Sequence, residues 1–300
     1  MDYWESAQLL DLYDETLGRR IVWKWQSVWR DLHRKWGPHV LPESFTHLVD
    51  LGCGAGAATE AFLQSFEGRD FSSWSLEFLD RSDLALGHCQ KKFGKISNQI
   101  FSHQSISTLK IHSHSVVLIS HGLNELSPST LQEWALACEK AGLVVVVEPA
   151  TVQAFKALGA FWKLMGNTWQ VLGPCPQLKP SCPYLNGDSN PMEDQNGWCH
   201  FYTKPPAECF QDSQWARLSS LLQIDLRSLA FSSLILQNPA IPVPLSTLNS
   251  SLSRLLARPM VRGASVELLK CNGNQIKRET VSYSRFKKSN KDQLKDPFLG

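Results

Sequence analysis

A glycine-rich turn between a short apolar segment and a helical segment is the feature that most constrains the fold. The sequence THLVDLGCGAGAATEAFLQSF (46–66) predicts a strand, a turn and a helix, with Asp50 at the strand end and Gly52, Gly54 and Gly56 in the turn. Glycine lets the chain turn sharply and lets a ligand approach the backbone closely, and the following helix presents free N–H groups at its start. The turn therefore predicts either a ligand site or a tight strand–helix connection that binds nothing.

Strand and helix patterns alternate after this turn. Apolar segments that predict further strands lie at 74–80, 115–120 and 143–149, and a helical pattern follows each one. This alternation predicts an α/β fold with a parallel sheet covered by helices on both faces. Late strand segments without helices between each pair predict an antiparallel edge, and they lie at 231–238, 264–271 and 275–286.

The second strand of the predicted sheet also ends in an acid. Asp80 stands where an α/β nucleotide site places a carboxylate to accept hydrogen bonds from ribose hydroxyls. The D-x-G-x-G pattern with this acid resembles the S-adenosylmethionine (SAM) site of Rossmann-like methyltransferases. That resemblance implies that Asp50 and the three glycines surround the methionine end of the cofactor and that Asp80 holds its ribose. Nicotinamide or flavin is less favoured, because Ala57 replaces the third glycine of G-x-G-x-x-G.

The segment after the third strand leaves the chemistry open. An Asn/Asp-Pro-Pro-aromatic motif, typical of many enzymes that methylate base amino groups, is absent from the sequence, and SHGLNEL (120–126) stands in its place. Ser120, Asn124 and Glu125 either line the substrate side of the site or cap the next helix. The sequence identifies no catalytic residue.

Length, charge and the amino terminus bound the class of protein. A chain of 300 residues can bury a core that needs no disulfide bonds or metal ions for its stability. Its net charge is only +2, so any contacts with nucleic acid must come from local basic patches. No secretory signal or transit peptide is visible, and the longest apolar run, 143–147, is too short to cross a bilayer. We therefore expect a soluble cytoplasmic protein of the bacterial type, with no membrane partner and with reduced thiols.

The patterns divide the chain into five predicted parts. A helical pattern over 8–36 carries six arginine and lysine residues, which form either a solvated basic face or a face that meets RNA phosphates. The parts are an N-terminal helical region (1–45), a SAM-binding Rossmann-like core (46–170), a cysteine loop (171–210), C-terminal strands completing the sheet (211–284) and a basic tail (285–300).

The predicted cysteine loop lacks the periodicity of a helix or a strand. Cys175, Cys182 and Cys199 lie in it, two of them before proline, and the C-x-x-C pairs of a zinc ribbon are absent from the sequence. Iron–sulfur clusters use thiolates at wider spacings, so the pattern favours a metal site over free thiols. Three thiolates need a fourth ligand. The candidates are Cys209, His200 and Cys271.

An ordered set of motifs carries a family resemblance. The motifs are VDLGCGAGAAT (49–59), SHGLNEL (120–126), VVEPAT (146–151), PCP (174–176), SCP (181–183), WCHF (198–201), RPMVRGASVELLKC (258–271) and NQIKRETVSYS (274–284). In this order, over residues 46–285, they resemble the ribosomal small-subunit-associated methyltransferase-like family of mitochondrial ribosome-assembly proteins and their bacterial relatives. The chain departs from that family at Gln177, where relatives tend to carry histidine, and at Ala150, where they usually carry glycine.

The resemblance implies cofactors and a partner. It implies SAM and a four-iron, four-sulfur cluster on Cys175, Cys182, Cys199 and Cys271, with zinc as the alternative metal. It also implies action on the small ribosomal subunit and its rRNA, either as a methyltransferase or as a non-catalytic assembly factor whose cofactor and cluster are structural or sensing. A zinc-loop methyltransferase of unrelated substrate and a radical enzyme are weaker alternatives. We expect a monomer.

Basic residues near the carboxyl end provide candidate phosphate contacts, whose contribution falls as salt rises. The alternative is a solvated basic surface. The residues are Arg254, Arg258, Arg262, Lys277, Arg278, Arg285, Lys287 and Lys288.

Overall fold

The N-terminal region is helical, as the sequence predicts. The computed structural model describes residues 6–186, 197–223, 229–241, 253–257 and 259–289. Helices α1 (Ala7–Tyr13) and α2 (Arg19–Trp36) are joined by a π-helical turn, Asp14–Gly18, which the hydrophobic periodicity does not predict. Ser6 caps the start of α1, and Gly37, with a φ of 85°, ends α2 just before Pro38.

A parallel sheet with helices between its strands follows. The elements are β1 (His47–Leu51), α3 (Ala57–Ser65), β2 (Ser75–Leu79), α4 (Asp83–Phe93), β3 (Gln99–His103), β4 (Ser115–Ser120), α5 (Pro128–Cys138), β5 (Leu143–Pro149) and α6 (Val152–Met165). The strands lie side by side in the order β3-β2-β1-β4-β5, all parallel. Every residue of β1 is buried because helices cover both faces of the sheet.

Three antiparallel strands extend this central sheet beyond β5. After β6 (Gln170–Gly173) come the short helix α7 (Pro183–Asn186), β7 (Phe201–Thr203), α8 (Ser213–Leu222) and β8 (Leu229–Gln237). Strand β8 inserts between β5 and β6 and runs antiparallel to both, and β7 also pairs with β8. The strand order and the antiparallel last strand give a mixed, Rossmann-like sheet of the kind predicted from the alternating pattern.

The last strands form a second sheet instead of completing the first. Strands β9 (Arg254–Leu255), β10 (Met260–Arg262), β11 (Ser265–Cys271) and β12 (Ile276–Ser282) pair with one another, and helix α9 (Tyr283–Ser289) follows. Val266, Leu268 and Phe286 form a small core of their own. The structure therefore differs from the expectation that all strands up to residue 284 complete the central sheet, because these strands bury a separate apolar cluster.

Two apolar layers sandwich the central sheet. On one face, α2 and α3 pack with the fully buried Trp25, Trp29 and Phe62. On the other face, α5 and α6 pack with Trp134 and Phe161. Helix α2 therefore belongs to the core, since its apolar side covers the sheet. None of the helices in the described ranges is long and apolar enough to span a membrane.

Candidate functional site

The glycine turn after β1 is held against β2 by backbone hydrogen bonds. The N–H groups of Gly52 and Cys53 donate to the carbonyl oxygen of Leu79, at 2.8 and 3.0 Å. The N–H of Gly54 donates to Asp80 Oδ2 at 2.9 Å. Gly52 and Gly54 have φ values of 69° and 52°, a region that residues with side chains rarely adopt. The turn thus presents bare backbone at the carboxyl edge of the sheet.

Gly56 allows helix α4 to approach the start of α3. Its φ is 74°, and an added Cβ would lie 2.6 Å from the ring of Phe93 and 3.1 Å from Cys89 Sγ. No other residue fits this position without moving its neighbours. Gly56 lies behind the turn and does not line the cavity that the turn borders.

A cavity of 610 Å³ opens at the carboxyl ends of the parallel strands, a size usual for small-molecule sites. Loops after β1, β2, β3 and β4 line it, together with residues of the surrounding helices. The lining includes residues 52–55, 80–81, 104–106, 120–122 and 125–126, with Tyr13, Ile21 and Trp134. The cavity lies where the strand order reverses between β1 and β4, which is the usual ligand position in open α/β sheets.

Asp80 presents a fixed carboxylate to this cavity. Its Oδ2 accepts the Gly54 N–H, and its Oδ1 accepts the Ser82 N–H at 2.9 Å. Each carboxylate oxygen has a second lone pair, so the side chain can still accept hydrogen bonds from a ligand. The structure therefore brings Asp80, Gly52 and Gly54 to one wall of the cavity.

Asp50 lies behind the turn and is fully buried. Its Oδ2 accepts hydrogen bonds from Thr59 Oγ1 at 2.7 Å and from the Thr59 N–H at 3.3 Å, and its Oδ1 has no partner among the described residues. Burial raises the pKa of Asp50 to about 7, although the bonds from Thr59 act against this rise. Asp50 anchors the start of α3 and does not line the cavity. Its role at the methionine end of SAM stays a prediction.

Two walls of the cavity were not foreseen from the sequence. Gln104, Ser105 and Ile106 follow β3, whose partly exposed and largely polar residues give little strand signal. Tyr13 and Ile21 reach the cavity from the N-terminal helices. Their positions depend on how α1 and α2 pack on the sheet, so no local pattern identifies them.

Helix α2 holds the segment that follows β4. Trp25 Nε1 donates to Ser120 Oγ at 2.9 Å, and Lys24 Nζ lies 3.1 Å from His121 Nε2. Burial, and then the charge of Lys24, lowers the pKa of His121 well below its usual value. Burial also lowers the pKa of Lys24 to about 8. At neutral pH a neutral imidazole therefore accepts a hydrogen bond from a charged ammonium group.

The sequence predicts that polar residues of the segment 120–126 either line the substrate side of the site or cap the next helix. Ser120 and Glu125 line the cavity, whereas Asn124 Oδ1 is buried without a described partner. Helix α5 is capped by Ser127, which accepts the Thr130 N–H. The predicted capping role therefore belongs to a residue just outside the motif.

Glu148, near the end of β5, holds the segment that follows β4 through hydrogen bonds to its backbone. It is fully buried, and its Oε1 accepts the N–H groups of Gly122 and Leu123, each at 3.0 Å. Burial raises the pKa of Glu148 to about 7, against the effect of these two hydrogen bonds. The carboxyl group therefore titrates near neutral pH while it fixes the loop beside the cavity.

The four cysteines predicted as metal ligands come together from separate segments. Cys175 and Cys182 follow β6, Cys199 precedes β7, and Cys271 ends β11. Loss of solvent raises the pKa of Cys175 to about 12, and the neighbouring Cys182 and Cys271 add to that rise. Loss of solvent, followed by the effects of Cys175 and Cys182, also raises the pKa of Cys199. These mutual effects require nearby thiols, and we call the four residues the cysteine cluster.

The turn between β11 and β12 ties the cysteine cluster to the second sheet. Asn274 Oδ1 accepts the Ser181 N–H at 2.9 Å, and Asn274 Nδ2 donates to Gln177 Oε1 at 3.1 Å. The Gly273 N–H donates to Cys271 Sγ at 3.3 Å. Gln177, the departure from the family pattern, thus has a structural partner.

Two cations reach the cysteine cluster from other elements. Lys35 Nζ, on α2, donates to the carbonyl oxygens of Leu172 and Cys175, at 2.9 and 2.6 Å. Burial, and then the charge of Arg254, lowers the pKa of Lys35 to about 8, so the side chain stays protonated at pH 7. Arg254, which is 14% exposed, forms an ion pair with Asp31.

The two other candidates for a fourth ligand lie in different surroundings. Cys209 packs with Trp23, Trp215 and Leu229 in a small apolar cluster. His200 Nε2 lies 2.9 Å from the hydroxyl of Tyr202. Within the described residues, no three His, Cys, Asp or Glu side chains are close enough to hold one metal ion.

The candidate phosphate contacts are only partly free in the structure. Arg254 is half-buried, and its guanidinium group forms an ion pair with Asp31 within the protein. Arg278 and Arg262 both lie against Glu267, the latter at 3.7 Å. Lys277 is exposed on β12. Arg258 and the tail beyond residue 289 lie outside the described ranges.

Comparison with known proteins gives one match at the level of sequence. A family model described as mitochondrial small ribosomal subunit Rsm22 matches residues 33–291. A search of curated proteins found no match.

Solved structures similar to this chain include two methyltransferases. A precorrin-6y C5,15-methyltransferase from Geobacter metallireducens GS-15 is 12% identical, with 65% of this chain and 80% of that chain covered and a TM-score of 0.37. A magnesium protoporphyrin IX methyltransferase from Synechocystis PCC 6803 with bound SAH is 12% identical, with 64% and 73% covered and a TM-score of 0.34. A Thermoplasma acidophilum protein is 11% identical, with 65% and 80% covered and a TM-score of 0.37.

Proposed function

Because the chain belongs to the mitochondrial small ribosomal subunit Rsm22 family, we propose that it binds SAM and an iron–sulfur cluster and acts on the small ribosomal subunit. The observation that carries this proposal is the 610 Å³ cavity between the glycine turn and Asp80, at the switch point of a Rossmann-like sheet.

The cavity wall fits the polar ends of SAM. Asp80 offers its remaining lone pairs to the ribose hydroxyls, and Gly52 and Gly54 let the methionine end approach the backbone. The start of α3, with Ala57 and Ala58 on the cavity wall, lies beside this end. Gln104–Ile106 and Trp134 surround the space that remains for the adenine.

Methyl transfer from this site needs orientation more than acid–base catalysis. When bound, SAM supplies a methyl group whose carbon bonds to an acceptor lone pair as the C–S bond breaks, leaving S-adenosylhomocysteine and releasing the acceptor's proton. Ser120 and Glu125 line the cavity on the side of β4 and are placed to orient that acceptor. The acceptor lies on the rRNA or a protein of the small subunit.

A non-catalytic assembly factor is the second candidate, and the segment after β4 favours it. In place of a base-methylation motif, Ser120 accepts a bond from Trp25, and His121 pairs with Lys24. Side chains held by internal contacts are less available to an acceptor. In this version SAM binding stabilises the fold or reports on the cofactor supply.

The cysteine cluster fits an iron–sulfur cluster by the chemistry of its donors. Four cysteine thiols are the common ligand set of a four-iron, four-sulfur cluster, and burial raises the pKa of all four thiols. Each thiolate of such a cluster binds a different iron atom, so its sulfurs lie farther apart than the ~3.8 Å expected around one zinc ion. Cys175, Cys182, Cys199 and Cys271 would hold the cluster, and zinc stays the alternative.

The partner is the rRNA of the small subunit, contacted by exposed basic residues such as Lys277 on β12 and Lys287 on α9. A monomeric state stays a prediction. The cytoplasmic location also stays a prediction, and the mitochondrial name of the family gives it no support.

Binding and turnover of SAM are tested separately. Equilibrium dialysis with labelled SAM measures affinity, and tritium transfer from the methyl group to immature small subunits measures turnover. Tritium in rRNA or protein identifies a methyltransferase, whereas tight binding without transfer identifies the assembly factor. Absence of binding contradicts both versions.

Metal content is tested on protein purified without oxygen. Iron, sulfide and zinc are assayed on the sample whose absorbance spectrum is recorded. A broad band near roughly 400 nm with about four irons supports the cluster. One zinc and no colour reassign the cysteine cluster as a structural zinc site.

A further inference from the structure

Two half-buried cations bind the backbone at the first cysteine of the cluster and just before it. Lys35 Nζ donates to the carbonyl oxygens of Leu172 and Cys175, at 2.9 and 2.6 Å. Arg254 Nε donates to the Pro174 carbonyl oxygen at 2.6 Å. The loop that carries Cys175 is therefore clamped between α2 and β9, which are far apart in sequence.

The two cations differ in how their charge is balanced. Arg254 forms an ion pair with Asp31 and stacks over the ring of Phe201, with 4.8 Å between its Cζ atom and the ring centroid. Lys35 forms no ion pair with any carboxylate of the described residues, and its partners are two carbonyl oxygens and the face of Trp36. Asp31 is near enough to attract it, but Arg254 and Arg34 already pair with that carboxylate.

An ammonium group without a paired carboxylate is costly in a partly buried place, unless an anionic group lies nearby. Four thiolates outweigh the positive charge of an iron–sulfur core, so the occupied site is anionic and becomes more so when it accepts an electron. Positive charge beside it therefore favours the reduced form. The cysteine cluster has this charge on the side of Cys175.

We propose that Lys35 balances the charge of the occupied cysteine cluster and raises its reduction potential, while Arg254 and Asp31 position the loop. Lys35 contacts the backbone of Cys175 and no reacting atom. It therefore acts on the reduction potential through its charge and through the position of the loop. This inference rests on the iron–sulfur part of the proposed function.

The test is a redox titration of the full-length chain, purified without oxygen and followed by absorbance. The variants are Lys35→Met, which removes the charge, and Lys35→Arg, which keeps it. Lys179→Met is the matched control, because Lys179 lies in the same loop between two cluster cysteines but is exposed. Iron and sulfide are assayed on every sample.

We expect a lower reduction potential for Lys35→Met than for the wild type, with Lys35→Arg and Lys179→Met close to the wild-type value. Loss of iron from Lys35→Met alone, with iron kept by Lys35→Arg, also supports the inference. Equal potentials in Lys35→Met and the wild type overturn it, as does loss of iron from both Lys35 variants. A wild-type protein without iron contradicts the cluster itself and so separates the two failures.

Discussion

The backbone N–H of Gly54 donates a 2.9 Å hydrogen bond to the carboxylate of Asp80. The acid expected to hold a ribose therefore also fixes the glycine turn that borders the same cavity. Two motifs that lie 26 residues apart act as one structural unit. Changes at either residue should alter both the ligand site and the local fold.

Replacing Asp80 should weaken SAM binding more than it weakens the fold. Asp80→Ala removes a charged acceptor, and hydrogen bonds to charged groups contribute about 1.5–3 kcal/mol, so we expect roughly 10- to 100-fold weaker binding. Isothermal titration calorimetry measures the affinity. Asp70→Ala, at an exposed loop position, is the control, and an unchanged affinity in Asp80→Ala would remove this residue from the site.

An alanine at Gly56 should destabilise the protein even without a ligand. The new Cβ would meet Phe93 at 2.6 Å, and a φ of 74° is strained for alanine by about 1–2 kcal/mol. Urea unfolding should show a loss of at least about 2 kcal/mol. Gly87→Ala is the matched control, because nothing lies within 4 Å of its Cβ and helical alanine is favoured over glycine by about 1 kcal/mol. Similar stabilities for the two variants would show that α4 moves freely.

Glu148 should contribute a loss of stability as pH rises from 5 to 8, whereas the lowered pKa of His121 contributes in the opposite direction. Burial raises the pKa of Glu148 from 4.5 to about 7 in the folded protein, so folding takes up protons at pH values between these two. The stability is greatest below the unfolded pKa and is lost as pH rises to about 7. Two to three pKa units correspond to about 3 kcal/mol.

The variant Glu148→Gln isolates this effect, since the amide keeps an oxygen for the Gly122 and Leu123 N–H groups. Urea unfolding at pH 5 and at pH 8 measures the free energy of unfolding. This free energy should fall less between the two pH values for Glu148→Gln than for the wild type. Glu139→Gln, at an exposed position, should behave as the wild type. Equal falls in all three proteins would place the titration elsewhere, for example at the buried Asp50.

Cys271 and Cys209 should differ in their effect on metal content. Cys271→Ser changes a member of the cysteine cluster and should reduce bound iron, whereas Cys209→Ser changes a thiol that packs with Trp23 and Leu229. Iron assays on both variants, prepared side by side without oxygen, check the difference. Iron lost from Cys209→Ser and kept by Cys271→Ser would reverse the ligand assignment.

Lys277 should contribute to RNA binding through charge. Each phosphate contact that is lost reduces the slope of log affinity against log salt by about 0.7–0.9. Filter binding of small-subunit rRNA to Lys277→Ala over a range of salt concentrations measures that slope. Lys95→Ala, at an exposed position after α4, is the control. Equal slopes for both variants would mean that the second sheet does not face the RNA.

The central sheet was predictable because its strands are continuous apolar runs. Segments 115–120 and 143–149 coincide with β4 and β5, since strands covered on both faces need apolar residues throughout. Strand β3 was missed because it lies at the edge of the sheet and alternates in exposure. Strands β6 and β7 are only four and three residues long, too short for a periodic signal.

The sites were predictable where a motif is local. The glycine turn and Asp80 follow from residues next to strand ends, and the family resemblance selected Cys271. The contacts of Lys35 and Arg254 with the cysteine cluster join residues up to 140 positions apart. Such contacts depend on how α2 and the second sheet pack. Neither the spacing of motifs in the sequence nor the amino-acid composition predicts that packing.

The insertion of β8 between β5 and β6 has a consequence for synthesis of the chain. The edge of β5, a run of buried valines, stays without its partner until residues 150–237 have been made. At about 5–20 residues per second, this interval lasts several seconds, and an open apolar edge can pair with another chain. The nascent protein therefore has a period in which a chaperone would protect it, and that period ends only after Cys175, Cys182 and Cys199 of the cysteine cluster have been translated.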